Sequence, residues 1–250
     1  MPTDRTVDWE HIKRCLLVLH REARPFLGRA LLIGGAACWF YRRQLQLAAD
    51  PDFSLPTLAP ATEAQWLSKD IDFTGVFSAD ALALLPRHVV TDAAGRSHIE
   101  VAGVRLGFAQ VGVTLDPEAA LFSATIGEFT LDGERVQFLV ADPVSLYREK
   151  QALHERRNAP QDFLHLGLLR ECLVWRVVTE AEKLLTATTT VSEQRAGTEL
   201  LAAVASKAPE VLRDPRITRR VGPRLRVGDF ASAAVAKQLG LSLASAPPNG

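Results

Sequence analysis

Long apolar runs are missing from this chain of 250 residues: no stretch approaches the roughly 18 residues that cross a bilayer. Cysteine is scarce. Cys15, Cys38 and Cys172 are scattered without CxxC spacing, an odd set that predicts reduced thiols rather than a disulfide framework or a zinc site. His88, His98, His154 and His165 have no ligand spacing with those cysteines or with one another, which again disfavours zinc. No Gly-x-x-x-x-Gly-Lys-Ser/Thr occurs and no Gly-x-Ser-x-Gly, so a P-loop ATPase and an α/β-hydrolase elbow are both unsupported. Met1-Pro2-Thr3-Asp4-Arg5 lacks the basic-then-apolar layout of a secretory leader, and the expectation is a cytoplasmic protein with no membrane partner. Charge of one sign is lacking too: 29 Lys and Arg balance 29 Asp and Glu, so net charge argues for no class of partner.

What is present suffices for a sizeable core, because 47% of the residues are apolar and 23% charged. Apolar spacing predicts a helix over Trp9–Leu27 with Asp8 as its N-cap. Ala30-Leu31-Leu32-Ile33 reads as a strand covered on both sides, broken by Gly34-Gly35 and followed by a helix over 36–48. Pro51, Pro56 and Pro60 mark a loop, and Thr62–Trp66 reads as a short helix. Asp70–Phe73 is the second strand, and a helix over Ala79–Leu85 is expected after it. Strands are then predicted at His98–Val101, Val104–Phe108, Val111–Leu115, Phe122–Leu131 and Glu134–Val140. Asp132-Gly133 between the last two is a hairpin signal, since both residues tolerate the positive φ of a type I′ turn. After Asp142-Pro143 the pattern is helical, with helices expected over Val144–Glu155, Ala159–Leu169, Glu171–Thr186 and Glu193–Ala205. The implied organisation is an α/β domain over 1–142, a helical domain over 143–241 and a disordered tail over 242–250.

The most informative element is Asp70-Ile71-Asp72. In an extended strand, residues i and i+2 share a face, so both carboxylates project together while Ile71 and Phe73 turn into the core. Two parallel anions repel each other unless a cation lies between them, and Mg²⁺ favours carboxylates combined with substrate phosphates. A solvated strand end is the alternative. The upstream Gly34-Gly35 pair would let a phosphate approach the exposed N–H groups at the start of the following helix, although most such pairs simply turn the chain.

Together, "LLIGGAACWFYRR" and "SKDIDFTG" resemble the polymerase-β-like nucleotidyltransferase superfamily, in the bacterial branch related to AbiEii-type toxins. "DPVSLYREKQALHERRNAPQDFLHLGLL" is similar to that branch's lysine, arginine and aspartate pattern, and the resemblance spans roughly 31–169. It implies an α+β fold, a small mixed β-sheet nucleotidyltransferase domain with flanking helices followed by a C-terminal helical domain. It also implies that Asp70 and Asp72 bind Mg²⁺ (or Mn²⁺), that Gly34 and Gly35 cradle a nucleoside triphosphate, and that Lys150 reaches the triphosphate. Asp162 would orient the acceptor or accept its proton, with Arg156 or Arg157 as the intervening base. Solvation of Lys150, and a helix N-cap at Asp162, are the structural alternatives. Arg42 or Arg43 could face phosphate, with solvation as the alternative.

The superfamily's third carboxylate is expected on a later strand, where Gln137 stands here. In a two-residue hairpin Glu128 faces Gln137 on one sheet face, which makes Glu128 the candidate third metal ligand; an exposed hairpin glutamate is the alternative. Arg213, Arg216, Arg219, Arg220, Arg224 and Arg226 form a basic cluster suited to an RNA acceptor or to an acidic partner, and a solvated turn with a few ion pairs is again the alternative. The expected function is metal-dependent transfer of a nucleoside monophosphate from an NTP to an acceptor. That acceptor could be tRNA or another RNA, in a toxin-like role with a possible antitoxin partner, or a small molecule. The competing expectation is a nucleotide- or protein-binding module whose chemistry has lapsed.

Overall fold

The computed structural model describes residues 7–53, 70–75, 85–109, 113–186 and 189–243. The expected helix over Thr62–Trp66, residues 79–84 of the expected helix over Ala79–Leu85, and residues 244–250 of the tail lie outside them. Strands β1 (Ala30–Ile33), β2 (Asp70–Gly75), β3 (Val89–Thr91), β4 (Ser97–Val101), β5 (Val104–Ala109), β6 (Thr125–Leu131) and β7 (Glu134–Val140) form one sheet ordered β3-β4-β5-β2-β1-β7-β6. Pairing is mixed. β1 runs antiparallel to β2 and parallel to β7, β2 runs parallel to β5, and the remaining pairs are antiparallel. The helices among the described residues are α1 (Trp9–Glu22), α2 (Arg24–Leu27), α3 (Gly34–Ala48), α4 (Pro117–Phe122), α5 (Pro143–Arg157), α6 (Pro160–Leu184), α7 (Val191–Lys207), α8 (Pro215–Val221) and α9 (Phe230–Leu239). This is the α+β architecture expected, and no helix among the described residues is long and apolar enough to cross a membrane.

The contacts divide the chain into two units, residues 1–47 with 55–168, and residues 48–54 with 169–250. The boundary expected at Asp142-Pro143 therefore falls inside the first unit. Local bonds explain why: the Ala141 N–H donates to Leu32 O, and the Tyr41 hydroxyl donates to Ala141 O, stitching the start of α5 to β1 and α3. The Glu149 carboxylate on α5 accepts the N–H groups of Val113, Thr114 and Leu115 at 2.7 to 3.1 Å. Those three bonds also explain why Val113–Leu115 is not the expected strand: its amides are taken by a side chain instead of a ladder. Gln110–Gly112 lie outside the described residues.

In the first unit, one sheet face is apolar and covered by helices. Phe26 of α2 meets Phe73 and Phe108 edge-on at 5.3 and 6.0 Å, and Phe40 of α3 meets Phe138 at 5.7 Å. Ile71 and Phe73 have no exposed surface, and neither do Leu31 and Leu32, so β1 is buried on both faces as its unbroken apolar run predicts. Asp8 caps α1 in a reciprocal box with His11. The single helix expected over Trp9–Leu27 breaks at Ala23 (φ −143°), because Pro25 cannot donate and its ring collides with the carbonyl four residues back. The Phe122–Leu131 strand starts late, at Thr125; Asp116-Pro117 instead caps and opens α4, with the Asp116 carboxylate accepting the Glu118 N–H. At Asp132-Gly133 both φ values are positive (51° and 79°), and Leu131↔Glu134 and Glu128↔Gln137 pair as expected. The two helices expected over Ala159–Leu169 and Glu171–Thr186 are one, α6, since nothing near Arg170 interrupts it.

In the second unit the basic cluster is largely spent on structure. Arg216 forks onto Glu171 (2.6 and 2.8 Å) and onto Asp214 (2.8 and 2.9 Å), and its guanidinium lies 4.8 Å from the centre of the buried Phe53 ring. Arg220 pairs with Asp50 and Glu182, Arg219 with Asp52, and Arg224 with Glu182. Sequence spacing shows Asp214 as the one opposing charge nearby, yet the chain brings four further carboxylates to these arginines. An RNA-backbone surface across Arg213–Arg226 loses its basis, and only Arg213 and Arg226 of the six form no ion pair among the described residues. Arg216→Ala is expected to cost about 3 kcal/mol, since it leaves buried Asp214 short of its partner. Arg219→Ala, at the exposed end, is expected to cost under about 1 kcal/mol. Urea denaturation of both variants checks the order, and equal midpoints contradict it.

Candidate active site

β2 lies between β1 and β5, and its acid face carries Asp70, Asp72 and Thr74. Register places Ile33 beside Asp72 on one side, and Arg105, Gly107 and Ala109 beside Asp70, Asp72 and Thr74 on the other. The two carboxylates therefore share one face, as the alternation of the strand demands. The two carboxylate oxygens of Asp72 lie against glycines, Gly34 and Gly107. A Cβ on Gly34 would lie 2.5 Å from Asp72 Oδ2, and a Cβ on Gly107 would lie 2.2 Å from Asp72 Oδ1. Gly34 also holds φ +64° at the start of α3, a conformation that L side chains avoid. The glycine turn thus does two things. It starts a helix next to the acids, and it clears the space that one of those acids fills.

The electrostatics of the pair are unsettled without a cation. Burial first and the neighbouring Asp70 second push the Asp72 carboxyl up to about 6, while Lys150 and Arg157 pull it back. Those two cations come from the helical segment that follows β7. Lys150 on α5 is buried, and its Nζ lies 3.1 Å from Asp162 Oδ1. Arg157, in the last turn of the same helix, grips Asp162 through Nε and through Nη2 at 2.8 Å. Burial alone would raise the Asp162 carboxyl, but the Arg157 hydrogen bond and the Lys150 charge outweigh it and hold it at about 2. Asp162 has no exposed surface and sits in the first turn of α6, not at its N-cap. It cannot touch an acceptor. It is a positioning residue that fixes the two cations.

Of the expected site residues, the structure brings together Gly34, Gly35, Asp70, Asp72, Lys150 and Asp162, and of the two arginines it selects Arg157. Glu128 is not among them. It faces Gln137 as expected, but β6 is the sheet edge, three strands from β2, or about 14 Å at the usual strand spacing. Its carboxylate is engaged by Arg135 at 2.6 Å and by Gln137 at 3.0 Å, so it is a hairpin ion pair rather than a third metal ligand. Arg42 is buried with its guanidinium 4.7 Å from the centre of the Trp39 ring, whereas Arg43 is exposed. His165, close enough to feel Lys150 and Asp162, is held neutral: burial, then Lys150, drives its pKa down to about 3. All three cysteines are buried free thiols, and burial pushes Cys15 and Cys38 up to about 12. Gly107 was not singled out from sequence. Its signal is a glycine inside an otherwise apolar strand, which marks a close approach of other atoms.

The residues fit a divalent cation shared with phosphate better than one enclosed by protein. Among the described residues no group of three or more His, Cys, Asp or Glu side chains is arranged to hold a metal. Two carboxylates beside a glycine-lined cradle are nonetheless the set that Mg²⁺ takes when phosphate oxygens complete its shell.

No protein-family model matches this chain, and no curated protein matches it in sequence. Among solved structures, the crystal structure of an antigenic nucleotidyltransferase-like protein from Paracoccidioides brasiliensis is similar, with a TM-score of 0.45 and 16% identity. The match covers 87% of this chain and 95% of that one.

Asp72 gives a test of sign. Its folded pKa lies above the unfolded value of 3.8, so its charged form destabilises the metal-free protein at neutral pH, and this penalty fades as pH falls through about 6. Asp72→Asn is expected to raise metal-free stability at pH 8 by roughly 1–3 kcal/mol, with the gain shrinking towards pH 5. Thermal melts across that range check it, and a destabilised variant at pH 8 contradicts it. Asp162→Ala should cost about 3 kcal/mol, because it strands the Lys150 charge. Lys150→Met should cost less, because Arg157 still pairs with Asp162; chemical denaturation ranks the two.

Proposed function

We propose that the chain is a nucleotidyltransferase that uses Mg²⁺ or Mn²⁺ to move a nucleoside monophosphate from an NTP to an acceptor hydroxyl. The observation that carries this reading is the convergence of Asp70 and Asp72 on one strand face, beside the Gly34-Gly35 helix start, within the field of Lys150 and Arg157. Asp70 and Asp72 would hold the cation. The backbone N–H groups at Gly34 and Gly35 would receive phosphate oxygens, helped by the positive end of a 15-residue helix. Lys150 and Arg157 supply positive charge behind the acids, and Asp162 keeps both in place. A bound Mg²⁺ supplies neutralisation of the charge that builds on the α-phosphate and the leaving pyrophosphate. In the overall exchange an acceptor oxygen bonds to the α-phosphorus, the bond to the β-phosphate oxygen breaks, pyrophosphate leaves and the acceptor proton is released.

A second reading has a specific observation behind it. β5, the other neighbour of β2, carries no carboxylate on the acid face. That favours a module that binds NTP with a cation and transfers slowly or not at all. Incubation with α-³²P-labelled NTPs, Mg²⁺ and either total RNA or a small-molecule pool separates the two. Transfer that is abolished by EDTA, and reduced at least about a hundredfold in Asp70→Ala and Asp72→Ala, supports the enzyme. NTP binding without transfer to either pool supports the module, and absence of NTP binding overturns both.

A further inference from the structure

The acid face around Asp72 is short of ligands in a particular way. On the β1 side its neighbour is Ile33, and on the β5 side the neighbours of the acid pair are Arg105 and Gly107. Among the described residues, the nearest further strand carboxylate on that face is Glu100 of β4, which pairs with Arg105 of β5; β4 lies about 10 Å from β2, and the Glu100 carboxylate is 3.7 Å from His98. Glu128 is committed to Arg135, and Asp162 to Lys150 and Arg157.

Gly107 leaves no room for a substitute. The space that its Cβ would take is filled by Asp72 Oδ1, so a side chain there would have to evict one of the two acids. Two cations held about 4 Å apart need a bridging carboxylate and further anionic ligands for each. Among the described residues, Asp70 and Asp72 are the only carboxylates that β2 and its two neighbouring strands place on this face, and Lys150 and Arg157 already supply positive charge to Asp72.

We propose that the site takes one divalent cation per bound nucleotide, with the Lys150–Arg157 pair standing where a second positive centre would act, and that Gly107 fixes this number by keeping Asp72 in its slot. The inference rests on the nucleotide-site reading above. It sets this chain apart from a two-ion catalyst, because an acceptor hydroxyl here would meet no second ion to lower its pKa.

Equilibrium dialysis of the full chain against Mn²⁺ and a non-hydrolysable α,β-methylene NTP tests it, with bound manganese and bound nucleotide counted separately. A ratio of one manganese to one nucleotide is expected. Two per nucleotide overturns the single-ion inference and leaves the nucleotide-site reading standing. No bound nucleotide overturns both. Gly107→Ala is expected to weaken manganese retention at least about tenfold, whereas Gly167→Ala, at a helical position open to space, leaves it unchanged. Retention by Gly107→Ala equal to that of the parent protein overturns the slot. Should Gly107→Ala fail to fold, as its melting curve would show, the stoichiometry of the parent protein still decides.

Discussion

Two anions on adjacent same-face positions of a strand destabilise the sheet that carries them, and everything around Asp70 and Asp72 answers that cost. Asp72 sits in a slot between two glycines, partly out of water, where its charge is harder to bear. Lys150 and Arg157 reduce the penalty without neutralising the acid outright, because Asp162 already claims their hydrogen bonds. The result is a carboxylate whose charge the fold bears at a cost, with its pKa raised to about 6. Stability is given up at this one place and recovered from the aromatic contacts on the opposite sheet face.

The order of the strands makes this arrangement possible. β1 ends at the glycine turn, β2 begins at the acids, and β7 runs parallel to β1 so that α5 leaves the sheet at the same end. Lys150 is therefore delivered to Asp72 by topology, from 78 positions further along the sequence. The same topology disqualifies Glu128. Its register with Gln137 is right, but the hairpin was added to the sheet edge and not beside β2.

Much of the fold was legible because it rests on local chemistry. The unbroken apolar run of β1, the Asp8 cap and the Asp132-Gly133 turn each declare themselves within a few residues. The Asp70 and Asp72 pairing was equally legible, being a matter of strand alternation. Strand order is not: β5, with Gly107, lies beside β2, and the strand of Gln137 lies beyond β1. Ion pairing across long sequence gaps was invisible as well. Arg216, Arg219 and Arg220 looked like a nucleic-acid surface because Asp50, Asp52, Glu171 and Glu182 lie dozens of residues away or more. The first unit runs past Asp142-Pro143 for a related reason: Tyr41 of α3 holds Ala141 at the start of α5, and Glu149 of α5 holds the 113–115 segment, through bonds that no local pattern announces.

The Glu149 clamp carries one more implication. Consecutive residues on α5 do different work, with Glu149 holding three amides of the 113–115 segment and Lys150 holding Asp162. Any drift in the roll of this helix is thus punished twice, once as orphaned amides and once as a stranded ammonium. Such a helix has little freedom to be retuned by small substitutions, and variation in this region should accumulate on its outward positions, such as Arg148 and Glu155, before it touches that adjoining pair.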